Sequence, residues 1–135
     1  EEKIVDAMAM SLVMRPEASD VIVTTNLFGD ILSDQISGLV GGLGLAPGAY
    51  IGAKAAIFEA VHGTAPDIAT KGVANPGALL LAACMMLDHL GDHARATRIR
   101  DAMYATIREG KTLTGDLGGT ATTDEFTSAI IARLR

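Results

Sequence analysis

Apolar residues recur at helical spacing from the first residues of the chain: Ile4, Val5, Met8, Leu12 and Val13 share one stripe, and Pro16 ends it. This pattern predicts a helix over residues 1–14. Asp20 then precedes Val21-Ile22-Val23-Thr24-Thr25, a β-branched run that suits a strand buried on both faces. Asn26 stops that run and is placed to cap a second helical stripe, Leu27, Ile31, Ile36, Leu39 and Val40, which Gly38, Gly41, Gly42 and Gly44 close. Residues 44–56, punctuated by Gly, Ala and Pro, read as an exposed connection. Residues 56–61 read as a second strand, and 62–75 as a long loop. Asn75-Pro76 starts a helix, with Asn as cap and Pro at the first position, and the apolar run to Leu87 makes that helix hydrophobic all round and central to the core. Beyond Gly91 the apolar positions Ala94, Ile99, Met103 and Ile107 oppose an Arg-rich face over 92–108. Thr123-Asp124 caps a last helix that runs to Leu134.

Helices therefore outnumber strands in an α/β chain, and two strands alone do not make a stable sheet. The missing strands are expected from another chain or from upstream sequence. Glu1-Glu2-Lys3 already reads as the middle of an amphipathic helix, so residue 1 is not expected to be a natural start. Composition narrows the partners. Eleven basic against sixteen acidic side chains give a net charge of −5, without the clustered Lys and Arg that nucleic acid or an anionic membrane surface would reward. The longest apolar run, Ala78 to Leu87, is well below the roughly 18–20 residues that cross a bilayer. The first residues lack the basic and apolar pattern of a secretory leader, and the one cysteine, Cys84, excludes an internal disulfide and suits a reducing compartment.

Two stretches carry candidate chemistry. Asp30 and Asp34 lie four apart on one face of the second helix, where like charges repel unless something neutralises them. A hard divalent cation such as Mg²⁺ or Mn²⁺ would do so; a solvated acidic face favoured by the helix dipole is the alternative. Asp6, set between Val5 and Ala7, is expected to be buried and to need a partner. The second stretch runs from Glu59 through His62-Gly63-Thr64-Ala65-Pro66-Asp67 and leaves a strand for a loop, the place where open α/β sheets bind ligands. Gly63 allows close backbone approach. Asp67 could accept two ribose hydroxyls or cap a short turn through Thr70. Asn75 could cap with its oxygen and keep its NH₂ for a base. By contrast, Gly42-Leu43-Gly44 follows a helix and misses the dinucleotide glycine spacing, and Gly91 at a helix junction separates His89 from His93.

Asp30 and Asp34 within Gly-Asp-Ile-Leu-Ser-Asp, followed by residues 62–75, resemble the β-decarboxylating isocitrate and 3-isopropylmalate dehydrogenases over essentially the whole chain. The resemblance implies the three-layer fold of that family, here as a carboxyl-terminal fragment. Residues 1–40 would belong to the small dimerisation and metal-site domain, and 41–135 to the large cofactor domain. Thr24-Thr25-Asn26-Leu27, Gly41 to Ala49 and Glu109 to Thr114 look like the NAD-type isocitrate enzymes, with isopropylmalate or homoisocitrate enzymes, or a non-catalytic regulatory subunit, as alternatives. It implies Asp30 and Asp34 as metal ligands and Asp6 as a third acid and proton acceptor given to a neighbouring subunit's site in a homo-oligomer. His62, Gly63, Ala65, Asp67 and Asn75 would bind the adenosine of NAD, Asp67 standing where NADP enzymes place Lys. The substrate would be a 2-hydroxy tricarboxylate, and the setting a bacterial cytoplasm or a mitochondrial matrix. The family's substrate-binding Ser and Arg and its catalytic Lys and Tyr lie upstream of Glu1, so this stretch alone is not expected to turn over. Thr70 stands where the family commonly has Gly.

Overall fold

The computed structural model of the protein describes residues 1–134. The chain forms two units, Glu1–Gly42 and Leu43–Arg135.

In the first unit, α1 (Val5–Met14) and α2 (Asn26–Leu39) pack through Met8, Leu12 and Leu32, with Val5, Ala9 and Ile36 around them. Gln35 Nε2 donates to the Ala9 carbonyl at 2.7 Å and fixes the pairing. The stripe expected on α2 is mostly not the buried one. Leu27, Ile31, Leu39 and Val40 are exposed, and the buried residues Leu32 and Ser37 lie on the face toward α1. Thr25, not Asn26, holds the N-cap position of α2, without a side-chain cap bond. Residues 21–25 form no strand: Val21 and Val23 are 83% and 94% exposed. A β-branched run becomes a strand only where a neighbour takes its backbone groups, and the described chain offers none.

The second unit holds the only sheet among the described residues. β1 (Pro47–Ile51) and β2 (Ala56–Ala60) are antiparallel, with Ala49 opposite Phe58 and Tyr50 opposite Ile57. Residues 44–56 are therefore not a bare connection: Ala46 is buried, and Pro47 occupies the first position of a strand, where its missing N–H is tolerated. β2 is legible because Ile57 and Phe58 stand in a short run free of glycine and proline, whereas the glycine and proline of β1 resemble punctuation. α3 (Gly77–His89) packs on this hairpin and on α4 (His93–Glu109), which in turn carries α5 (Thr123–Ala132). The core joins Leu81, Ala102, Met103, Phe126 and Ile130. Burying a side chain the size of Phe126 contributes about 1.5–3 kcal/mol. α5 is capped by Thr122 rather than Thr123, in a reciprocal box with Glu125. Cys84 is fully buried in α3, and burial pushes its thiol above its ordinary value.

Between β2 and α3 the chain follows an open loop in which residues 61–74 are all exposed. Its middle is a tight turn in which the N–H groups of Ile68 and Ala69 both donate to the Ala65 carbonyl. Thr70 there has φ 66°, in the left-handed region that a β-branched residue adopts only under strain. Thr70→Gly should relieve that strain. Removing the left-handed penalty outweighs the extra freedom glycine gives the unfolded chain, for a net gain of about 0.5–1 kcal/mol. A higher urea midpoint at constant slope is the expected result; an unchanged or lower midpoint would refute the strain.

Asp88, in the last turn of α3, ties that helix to α4. Its Oδ1 meets His93 Nδ1 at 3.0 Å and its Oδ2 accepts from Arg100 Nη2 at 2.6 Å. A carboxylate at a helix carboxyl end opposes the helix dipole, and the Arg100 cation together with the His93 hydrogen bond offsets that cost. The His93 bond first, then the Arg100 bond, hold the Asp88 carboxyl below its ordinary value. A depressed folded-state value adds stability above the unfolded value and loses it as pH falls through the folded one. Asp88→Asn should therefore flatten the decline of melting temperature below about pH 4; an acid limb identical to that of the unaltered protein would remove Asp88 as its source.

Candidate functional site

Each candidate group is placed by its own local structure. On α2, Asp30 and Asp34 stand one turn apart and both are exposed. Around them the short side chains satisfy the helix itself, Ser33 Oγ donating to the Asp30 carbonyl at 3.1 Å and Ser37 Oγ to the Ser33 carbonyl at 2.8 Å. Among the described residues neither carboxylate has a hydrogen-bond partner. A pair of carboxylates with open oxygens matches the one or two that Mg²⁺ usually takes from protein, the rest of its shell being water or substrate.

Asp6 is exposed, contrary to the burial expected from its apolar neighbours. It sits in the first turn of α1, off the Met8–Leu12 face, where its Oδ1 accepts from the Ala7 N–H at 2.7 Å and complements the positive helix end. Among the described residues no three His, Cys, Asp or Glu side chains come together as a metal cluster, so Asp6 does not join Asp30 and Asp34 within one chain. His89 and His93 form no metal pair either. His89 tilts against the Phe58 ring at 5.5 Å, and His93 faces Asp88.

In the second unit, His62, Gly63, Ala65 and Asp67 share the exposed loop. In its Nδ1–H tautomer His62 donates to the Gly63 carbonyl, 3.1 Å away. Gly63 has open space where a Cβ would project, so the backbone there is approachable from outside. Ala65, at φ 42°, turns the chain back and its carbonyl closes the turn. Asp67 does not cap that turn and makes no hydrogen bond among the described residues, which leaves both carboxylate oxygens for hydroxyl donors. This open loop with an uncommitted carboxylate fits the ribose of a nucleotide.

Asn75 differs from the rest of the loop in being buried. Its Oδ1 accepts the Gly77 N–H at 2.8 Å, the cap expected of it, although the helix proper begins at Gly77 with Pro76 at the boundary. Its NH₂ is not left over, as the sequence suggested, but donates to Asp116 Oδ2 at 2.8 Å. Asp116 lies in the 3₁₀ turn Gly115–Leu117, and its second oxygen accepts from Thr114 Oγ1 at 2.6 Å. Sequence reasoning missed Asp116. The available signal was an acid between glycines in Thr114-Gly115-Asp116-Leu117-Gly118-Gly119, a turn whose carboxylate must find local donors.

Comparison with known proteins bears on the chain as a whole. A family model described as isocitrate/isopropylmalate dehydrogenase matches residues 1–130. The isocitrate/homoisocitrate dehydrogenase of Thermus thermophilus is 58% identical over all 135 residues, which cover 40% of that protein. A probable mitochondrial NAD isocitrate dehydrogenase alpha subunit of Drosophila melanogaster is 55% identical over 99% of this chain and 36% of its own length. The crystal structure of isocitrate dehydrogenase from Methylococcus capsulatus superposes with a TM-score of 0.93 at 53% identity, over 98% of this chain and 40% of that one. The chain thus spans about 40% of the length of the relatives it matches, and its helix-rich α/β architecture is theirs. The chain belongs to the isocitrate/isopropylmalate dehydrogenase family.

Proposed function

We propose that the chain is the carboxyl-terminal part of a metal-dependent, NAD-linked dehydrogenase that oxidatively decarboxylates isocitrate. In this reading the first unit carries the metal acids, as the small dimerisation domain over residues 1–40, and the second carries the cofactor loop. Asp30 and Asp34 would hold Mg²⁺ or Mn²⁺, and Asp6 would serve a second copy of the chain. The separation of Asp6 from the α2 pair supports that division. So do the exposed apolar side chains Met10 and Met14 on α1 and Leu27, Phe28 and Ile31 on α2, an uncovered surface of the kind that marks an interface. When bound, a divalent ion would lower the pKa of a substrate hydroxyl and steady the negative charge left by loss of CO₂. Asp6, exposed at a helix start, would accept the hydroxyl proton. His62, Gly63, Ala65 and Asn75 would shape the adenosine seat, and Asp67 would take the ribose hydroxyls.

The observation that carries the reading is the exposed, uncommitted Asp67 on an open loop. A carboxylate accepts from two hydroxyls but repels a 2′-phosphate, which favours NAD over NADP. The relative named as an NAD isocitrate dehydrogenase alpha subunit agrees with that choice, and relatives from bacteria and from mitochondria fit either compartment. Homoisocitrate is a second reading for the substrate, because the Thermus thermophilus relative is named for both acids.

In the full-length protein, isocitrate with NAD and Mg²⁺ should produce NADH. Faster reduction with homoisocitrate or isopropylmalate would overturn the substrate assignment. Asp30→Asn should reduce metal-dependent turnover by at least about a hundredfold while leaving the circular dichroism spectrum intact; near-normal activity would remove Asp30 from the metal site. Asp67→Lys should weaken NAD binding by about tenfold or more, the scale of losing charged hydrogen bonds. An unchanged NAD affinity would sink the ribose role.

A further inference from the structure

The cofactor loop ends at a knot of hydrogen bonds in which Asn75 and Thr114 are buried and Asp116 is exposed. Three stretches far apart in sequence meet there. Asn75 makes two hydrogen bonds, its oxygen accepting from the Gly77 N–H and its nitrogen donating to Asp116. Asp116 in turn is held by Thr114, which is fully buried, and Gly44 closes against both partners. A Cβ on Gly44 would lie 2.7 Å from Asp116 Oδ2 and 3.1 Å from Asn75 Cβ, and one on Gly77 would lie 2.9 Å from Asn75 Oδ1. The carboxylate of Asp116 is thus clamped, with each oxygen taking one short hydrogen bond.

This arrangement fixes which end of the Asn75 amide points where. With a carboxylate on one side and a backbone N–H on the other, a flipped amide would set oxygen against Asp116 and NH₂ against the Gly77 N–H, and both bonds would be lost. Asp116 thereby sets the rotamer of Asn75, and Asn75 sets where α3 begins and where the loop ends. The opposite end of that short segment is tied as well. The Thr123 N–H donates to the Gly72 carbonyl at 2.8 Å, and Thr123 Oγ1 to the Ala74 carbonyl at 2.5 Å. The last residues of an otherwise exposed loop are therefore held at both sides by residues of the carboxyl-terminal half.

We infer that Asp116 is a positioning residue for cofactor binding: through Asn75 it holds the carboxyl end of the adenosine loop in its binding shape, without touching the cofactor. The inference rests on the reading of residues 62–75 as the NAD loop. Its test uses the full-length protein, with NAD affinity measured by titration and kcat measured separately. Asp116→Ala should raise the Kd for NAD about tenfold with kcat within about twofold, since an ordered loop contributes to binding and not to the chemical step. Asp116→Asn should restore the affinity to within about threefold. Its amide oxygen can take the Asn75 bond, and its NH₂ can donate to a Thr114 hydroxyl turned to accept. A role in folding alone would lower the melting temperature and the active fraction but leave the Kd of the folded protein where it was.

Should the Ala protein not fold, Thr114→Val, which removes one of the two clamps, should still raise the Kd about threefold. The inference is overturned if Asp116→Ala, or Thr114→Val in its place, binds NAD as tightly as the unaltered protein. It is equally overturned if the loss falls on kcat with the Kd unchanged, or if Asn fails to rescue. Asp67→Lys serves as the separating control. If it weakens NAD while Asp116→Ala does not, the loop reading stands and the positioning role fails; if neither variant matters, the loop reading itself has failed.

Discussion

The hydrogen bond from Asn75 to Asp116 is the contact on which the second unit's organisation turns. It joins Asn75, two residues before α3, to a turn forty-one positions later and, with the Thr123 bonds to Gly72 and Ala74, anchors the end of a loop that otherwise lies in solvent. α3 is the helix that touches both the hairpin and α4, so its starting point sets the register of the whole unit. An apolar helix slides easily along an apolar surface, because burial is non-directional. A capped first turn, with a carboxylate that discriminates the two ends of the capping amide, does not slide. The glycines at 44 and 77 fit the same constraint, since a side chain at either would press on the Asn75 and Asp116 side chains or on the backbone beside them.

Periodicity made the helices legible. α1, α3, α4 and α5 fall where apolar spacing puts them, within a few residues at their ends, and Asp92 caps α4 by accepting the Arg95 N–H at 3.3 Å. What the sequence misassigned has one physical origin: strand and burial depend on neighbours. The run 21–25 has the side chains of a strand and no partner for its backbone. β1 has weak strand chemistry and a partner that makes it one. The α2 stripe and Asp6 fail for a related reason. Their apolar neighbours imply a covered surface, and the described chain does not cover it. The candidate site was legible as a set of residue types at a spacing, Asp30 with Asp34 and His62 through Asn75. The Asp116 clamp was not, because it needs a contact between residues forty-one positions apart that no local pattern announces.

The exposure of the candidate residues also separates two kinds of work in the protein. Asp30, Asp34 and Asp67 keep uncommitted carboxylates in water, while the acids committed to structure, Asp88, Glu109 and Glu125, carry hydrogen bonds from nearby donors that hold them below their ordinary values. Glu109 is drawn down first by Lys111 and then by Arg133; Glu125 is drawn down by the backbone and hydroxyl of Thr122. A carboxylate already satisfied inside the protein must give up those bonds before it can take a ligand. An unsatisfied one need only shed water. Acids without internal partners are therefore better suited to bind, and Asp30, Asp34 and Asp67 are among them. Asp116 stands between the two classes: it is exposed, yet each of its oxygens takes one hydrogen bond within the protein, and its partner Asn75 ends the candidate loop. Its engagement argues for a role in shaping the loop rather than in contacting what the loop holds.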